Sequence, residues 1–152
     1  MRGYYVPLVA GAVLAVSAFM PRVQLGDQAA GGMSGATGLW SLVLGLLAVL
    51  LATLSVITRK NSRHPLLLVG LIALAIELLG WQWMRHSVNE RAWASAQAAA
   101  IVAGRAAVEP DPATMHAGLY LGLGASAIIT GFGLTIVVKQ AAKPYAAPQD
   151  DL

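Results

Sequence analysis

The stretch Pro65–Met84, PLLLVGLIALAIELLGWQWM, lies between the basic turn Arg59-Lys60-Asn61-Ser62-Arg63-His64 and the pair Arg85-His86, and its reading decides the fold. It holds one ionisable group, Glu77, in 20 residues. A helix needs about 20 predominantly apolar residues to cross the hydrocarbon core of a bilayer. Three more runs have this character: Tyr4 to Met20, closed by Pro21; Leu39 to Thr58, closed by Arg59-Lys60; and Met115 to Val138, closed by Lys139. With no water in the lipid core, each must be helical to satisfy its own backbone groups. The sequence therefore predicts an all-α integral membrane protein: four transmembrane helices in an antiparallel up-down bundle, spans about 4–20, 39–58, 65–84 and 115–138, forming a single domain over residues 1–152 with a short cytoplasmic tail at 139–152.

Composition agrees. Hydrophobic residues make up 57% of the 152, and charged residues 11%, against roughly 25% charged in ordinary soluble domains. That excess excludes disorder. Cysteine is absent, which removes disulfide frameworks, Cys-ligated metals and thiol nucleophiles. The net charge is +3, and the basic residues sit at segment ends rather than in a patch, so nucleic acid is not an expected partner.

Cation placement gives the orientation. Arg2, Arg59, Lys60, Arg63, Lys139 and Lys143 fall on one side, in three short segments; Arg22, Arg85, Arg91 and Arg105 fall on the other, in loops 21–38 and 85–114. Both termini are accordingly expected in the cytoplasm of a multi-pass protein of the plasma (inner) membrane. Trp40, Trp81, Trp83 and Tyr120 then mark the outer interface, and Tyr4, Tyr5 and Tyr145 the inner one. Val16-Ser17-Ala18 resembles the small-residue cleavage site of a secretory signal. The apolar stretch before it exceeds the usual signal core of about 7–15 residues, so an uncleaved first helix is expected.

In the first outer loop, Val23 and Leu25 alternate with polar residues, a weak strand signal; Gly26, Gly31, Gly32, Gly35 and Gly38 follow and point to a turning loop. The second outer loop carries an Ala-rich stretch, Val88 to Ala107, composed of good helix formers and broken by Pro110 and Pro112. It predicts a third helix that continues, or restarts, outside the membrane and packs there on loop 21–38 or on a partner.

Glu77 is the residue most open to a functional reading, because a charge at such depth is costly and marks a site by default. Gly70, Ala73, Glu77 and Gly80 form one small-residue stripe at helical spacing, a packing face of the kind that brings membrane helices close. Leu123, Gly124 and Ser126 of the fourth span lie at matching depth. No Lys or Arg occurs within a span, so Glu77 is expected as a neutral group, hydrogen-bonded across a helix interface, since burying an unpaired charge is costly. A proton- or ion-binding site at Glu77 is the alternative. Gly118 and Gly122 match the G-x-x-x-G spacing of close helix–helix contact.

His86 and His116 fall at the outer ends of the third and fourth spans, near Glu90, Glu109 and Asp111. A metal or haem-type ligand pair there is conceivable by spacing, but no tight ligand motif supports it, and no cofactor is expected. Catalytic fingerprints are absent from the sequence, so no enzyme activity is expected. The layout is shared by many small tetraspan membrane proteins and singles out no family. The sequence thus leads to an accessory or structural subunit of a larger membrane complex, with lipids and partner subunits or a homo-oligomer around it. The alternatives are a small transporter or channel subunit oligomerising around Glu77 and a cofactor-binding subunit using His86 or His116. High Ala and Gly content suggests a bacterial source.

Overall fold

The computed structural model describes residues 2–25, 28–30, 35–58 and 63–141. A 3-10 turn (Arg2–Tyr4) leads into α1 (Tyr5–Ser17); β1 (Val23–Leu25) and β2 (Gln28–Ala30) follow, then α2 (Ala36–Thr58), α3 (Arg63–Ala103), β3 (Thr114–Met115) and α4 (Ala117–Ala141). Three helices are long and apolar enough to cross a membrane: α2, α3, and α4 through Thr135. At 13 residues, α1 is apolar but only about 20 Å long at 1.5 Å per residue, short of the roughly 30 Å of hydrocarbon in a bilayer. The sequence expectation of 17 residues counted the tight turn after Ser17 as helix. There the amides of Ala18, Phe19 and Met20 bond three residues back, to Ala15, Val16 and Ser17, and Pro21 ends the run.

Each helix packs against its neighbours in sequence, and α4 closes back on α1. The close approaches show that neighbours run antiparallel. A Cβ on Gly45 of α2 would lie 2.6 Å from the Ala15 nitrogen of α1, and one on Gly11 would lie 3.0 Å from the Ala48 Cβ. Between α3 and α4, a Cβ on Gly133 would lie 2.5 Å from the Leu67 Cα, and one on Gly70 would lie 2.7 Å from the Thr130 backbone nitrogen. Lipid tails are as apolar as leucine, so helices associate through such close van der Waals fits rather than through hydrophobic burial. The core is accordingly built of Ala10, Leu14, Leu44, Ala48, Leu66, Val69, Ala73, Ala125 and Ile129, while large apolar groups such as Leu46, Leu50, Leu68 and Leu79 face outward. At one end of the bundle, Tyr4 and Phe132 meet edge to face at 5.2 Å, and the Arg63 guanidinium sits 5.5 Å from the Phe132 ring centre.

The opposite end carries a small antiparallel sheet in the order β2-β1-β3. Val23 pairs with Ala30 and with Met115, Gln24 with Ala29 and Thr114, and Leu25 with Gln28. Val23 and Leu25 give the expected strand, but the sheet brings corrections. Residues 28–30, expected in a turning loop, form β2; Thr114–Met115 form β3, so the fourth helix starts at Ala117 rather than Met115 and runs past Val138 to Ala141. The second helix begins at Ala36, not Leu39. The remainder of the expected tail, 142–152, and the turn 59–62 lie outside the described residues.

The third helix is a single rod of 41 residues, about 61 Å long. The expected span 65–84 and the expected outer helix 88–107 are one element, which stops at Ala103 rather than Ala107. Gly104 ends it, at φ 60°: its N–H donates to the Ile101 carbonyl, and that of Arg105 to the Ala100 carbonyl. These two bonds and the left-handed glycine form the Schellman motif.

Candidate functional site: a buried arginine–glutamate clamp

The tight turn after α1 brings Arg22 back over the top of the bundle, and two amides at the entry to α4 fix it there. The His116 N–H donates to the Arg22 carbonyl at 2.9 Å, and the Gly118 N–H to the Pro21 carbonyl at 3.1 Å. Gly118 is required for this approach, because a Cβ there would lie 2.7 Å from the Pro21 oxygen and 2.8 Å from that of Met20. With its backbone pinned, the Arg22 side chain turns inward and is 0% exposed.

It meets Glu77. Nη1 of Arg22 donates to Oε2 at 2.7 Å and Nη2 to Oε1 at 3.1 Å, the bidentate pairing that gives arginine–carboxylate contacts both strength and direction. Ser41, from the second turn of α2, completes the cluster. Its hydroxyl oxygen accepts from Nη2 at 2.9 Å and lies 2.5 Å from Oε1 and 2.7 Å from the Thr37 carbonyl, either of which takes its single proton. All three side chains are buried. Gly122 of α4 forms the last wall: a Cβ there would lie 2.6 Å from Oε1. Loop, α2, α3 and α4 therefore converge on one carboxylate. Removing either partner of such a pair leaves a buried, uncompensated charge and typically costs about 3–5 kcal/mol.

The expected hydrogen bond from Glu77 across a helix interface is present, to Ser41 of α2, but the expectation that it has no cationic partner gives way to this geometry. No cation lies within the spans, but one folds into them from the loop. Arg22 and Ser41 were missed. The signal available was the position of Arg22 one residue after the proline that ends the first apolar run, together with a lone buried acid elsewhere in the chain.

The other expected residues fall as follows. Gly70, Ala73 and Gly80 line the buried face of α3 with Glu77; Gly70 meets Thr130 of α4, and Gly80 meets Thr37 of α2. Gly118 and Gly122 both serve contacts within the chain. The α4 residue facing Glu77 is Gly122 rather than Leu123, Gly124 or Ser126: a Cβ on Gly124 would meet nothing within 4 Å, and the Ser126 hydroxyl donates to the Leu123 carbonyl at 3.0 Å. His86 and His116 are engaged separately. His86 Nε2 is 3.1 Å from Glu90 Oε1, with both groups exposed, while His116 Nδ1 accepts from the Ala117 N–H at 2.9 Å at the start of α4. Among the described residues no three His, Cys, Asp or Glu side chains gather where a metal could be held.

No known family profile, no curated protein and no solved structure matches this chain.

Proposed function

We propose that this protein is a four-span accessory or structural subunit of a membrane complex, with no catalytic activity of its own and both termini on the cytoplasmic side. In this reading α1, with the turns at either end, makes the fourth span, and the sheet and the far half of α3 stand outside. The plasma membrane is the proposed location, on the strength of the cation distribution.

The observation that carries this reading is the closed state of the clamp. The one carboxylate in the spans is held by two guanidinium nitrogens and a hydroxyl in a site with no exposure. A carrier site must load and release its ion, and each cycle here would strand Arg22. A clamp that ties the sheet to the bundle is what a subunit with a fixed outer shape needs.

The outer rod supports the partner side of the proposal. Ile101 and Val102, at its tip, are 81% and 89% exposed, and Val108 just beyond is 78% exposed. Among the described residues, α3 touches β1 of the first loop, and it also meets the chain that returns to α4, through β3 and through Asn89 Oδ1, which accepts from the Ala113 N–H at 2.9 Å. Purification in mild detergent tests the reading. A second polypeptide in fixed stoichiometry, lost on the double change Ile101→Asp with Val102→Asp, is the expected result. A homo-oligomer whose ion or proton flux disappears in Glu77→Gln would replace it with the transport alternative.

A further inference from the structure

Beyond the clamp, the exposed surface of the same helix carries an open cleft of about 930 Å³, lined by Leu78, Trp81, Gln82, Trp83, Arg85, His86 and Asn89. Its volume falls in the range of ligand sites, roughly 300–1,000 Å³, and its wall is mixed: Leu78, Trp81 and Trp83 are apolar or aromatic, and Gln82, Arg85, His86 and Asn89 are polar. The lining is graded along the helix. Leu78 stands at one end, the two tryptophans and Gln82 in the middle, and Arg85, His86 and Asn89 at the other, over 11 positions, or about 16 Å.

The polar groups are mostly unused donors, and no carboxylate lines the cleft. Among the described residues, the Arg85 guanidinium makes no hydrogen bond or ion pair, and neither do the indole N–H groups of Trp81 and Trp83. The nearest acid in sequence, Glu90, is taken by His86. A ligand matching this order has an apolar chain, then hydrogen-bond acceptors at ester depth, then a negative charge.

We propose that this cleft is a binding site for an anionic phospholipid, with the lipid phosphate on Arg85, its ester oxygens at the Trp81 and Trp83 N–H groups, and an acyl chain along Leu78. The site rests on the reading that α3 crosses a membrane with Trp81 and Trp83 at one interface, where tryptophan is favoured. It does not depend on orientation or on the accessory role. Lipid phosphate is favoured over free phosphate because Leu78, Trp81 and Trp83 line the cleft below the arginine, with Gln82 as the one polar side chain there, and because the lining holds a single cation without a partner among the described residues.

Fluorescence quenching by brominated lipids tests it. The full-length protein, carrying Trp40→Phe and Trp93→Phe so that only Trp81 and Trp83 emit, is placed in vesicles of phosphatidylcholine or phosphatidylglycerol, each with brominated acyl chains. The brominated phosphatidylglycerol is expected to bind about fivefold more tightly than the phosphatidylcholine, the scale of one favourable cation near a membrane surface. Arg85→Gln is expected to bring the ratio close to one, and Gln82→Glu, which sets a carboxylate in the cleft, to lower it as well. Both positions lie in the exposed lining, away from the clamp. A ratio of one in the unaltered protein, or a ratio unchanged in Arg85→Gln, would overturn the site. Loss of the preference on adding inorganic phosphate would reassign it to a free anion. Absence of quenching by either lipid would remove the membrane placement beneath it, while leaving the clamp and its own tests intact.

Discussion

The decisive atoms are those around the Glu77 carboxylate, and their energetics are asymmetric. With Arg22 fixed from outside by its own carbonyl, Glu77→Gln removes the counter-charge but leaves the guanidinium in place. A loss of about 3–5 kcal/mol is expected, read from unfolding of the purified protein in mixed micelles. Replacing both partners together, Arg22→Met with Glu77→Leu, strands no charge, and buried pairs replaced by apolar groups are often neutral or stabilising. The double variant is therefore expected to be more stable than either single one; a loss equal to the sum of the singles would exclude a coupled clamp. Glycine substitutions on α4 give a second check. Gly122→Ala pushes a methyl group against Oε1, whereas Gly124→Ala meets open space. The first is expected to cost about 1–3 kcal/mol through overpacking, and the second to be neutral or slightly stabilising, as alanine is the better helix former. Equal effects at the two positions would contradict the placement of α4.

Among the elements, α3 stands apart because its length exceeds any bilayer. Roughly half of its 41 residues must lie outside the hydrocarbon, and that half is Ala-rich, with Ala100 as its buried residue near the tip. Its integrity rests on helix propensity, on the Asn89–Ala113 bond at the base and on the Gly104 cap at the end. Slowed amide exchange is expected from 88 through about 100 in the purified protein, without a gap at Arg85. Gly104→Val forces a β-branched side chain into the left-handed region, where L residues are strained by roughly 1–2 kcal/mol. Faster exchange confined to the last two turns is the expected outcome. Rapid exchange across 88–103 in the unaltered protein would mean that the rod does not persist beyond the membrane.

For the whole molecule, the cyclic arrangement of α1, α2, α3 and α4 places the sheet and the tip of α3 at one end and Arg63 with Phe132 at the other. In the proposed orientation, which rests on the six-to-four distribution of cations, the second end faces the cytoplasm. The absence of cysteine makes this testable without background. A cysteine introduced at Ala107 is expected to react with an impermeant maleimide on intact cells, and one at Ser62 only after permeabilisation. The reverse pattern would invert the topology without disturbing the clamp, whose geometry does not depend on direction.

The apolar runs that form α2, α3 and α4 were legible in sequence because crossing a bilayer is a one-dimensional demand: enough consecutive apolar residues, each helix satisfying its own backbone. The stripe Gly70, Ala73, Glu77 and Gly80 was legible for a similar reason, since helical periodicity alone puts these residues on one face. The strand at Val23–Leu25 showed through its alternation, while β2 and β3 did not, three and two residues being too short to carry a pattern. Gly26-Asp27, between them, is the kind of pair that marks a two-residue hairpin and was the one sign of β2. What the sequence could not disclose was the partner of Glu77. Arg22 and Glu77 are 55 positions apart, and no local pattern links a loop arginine to a helix carboxylate. Only the tertiary fold decides it, because the tight turn after Ser17, the amides of His116 and Gly118, and the bare backbone of Gly118 must all come together before that side chain has anywhere to go but inward.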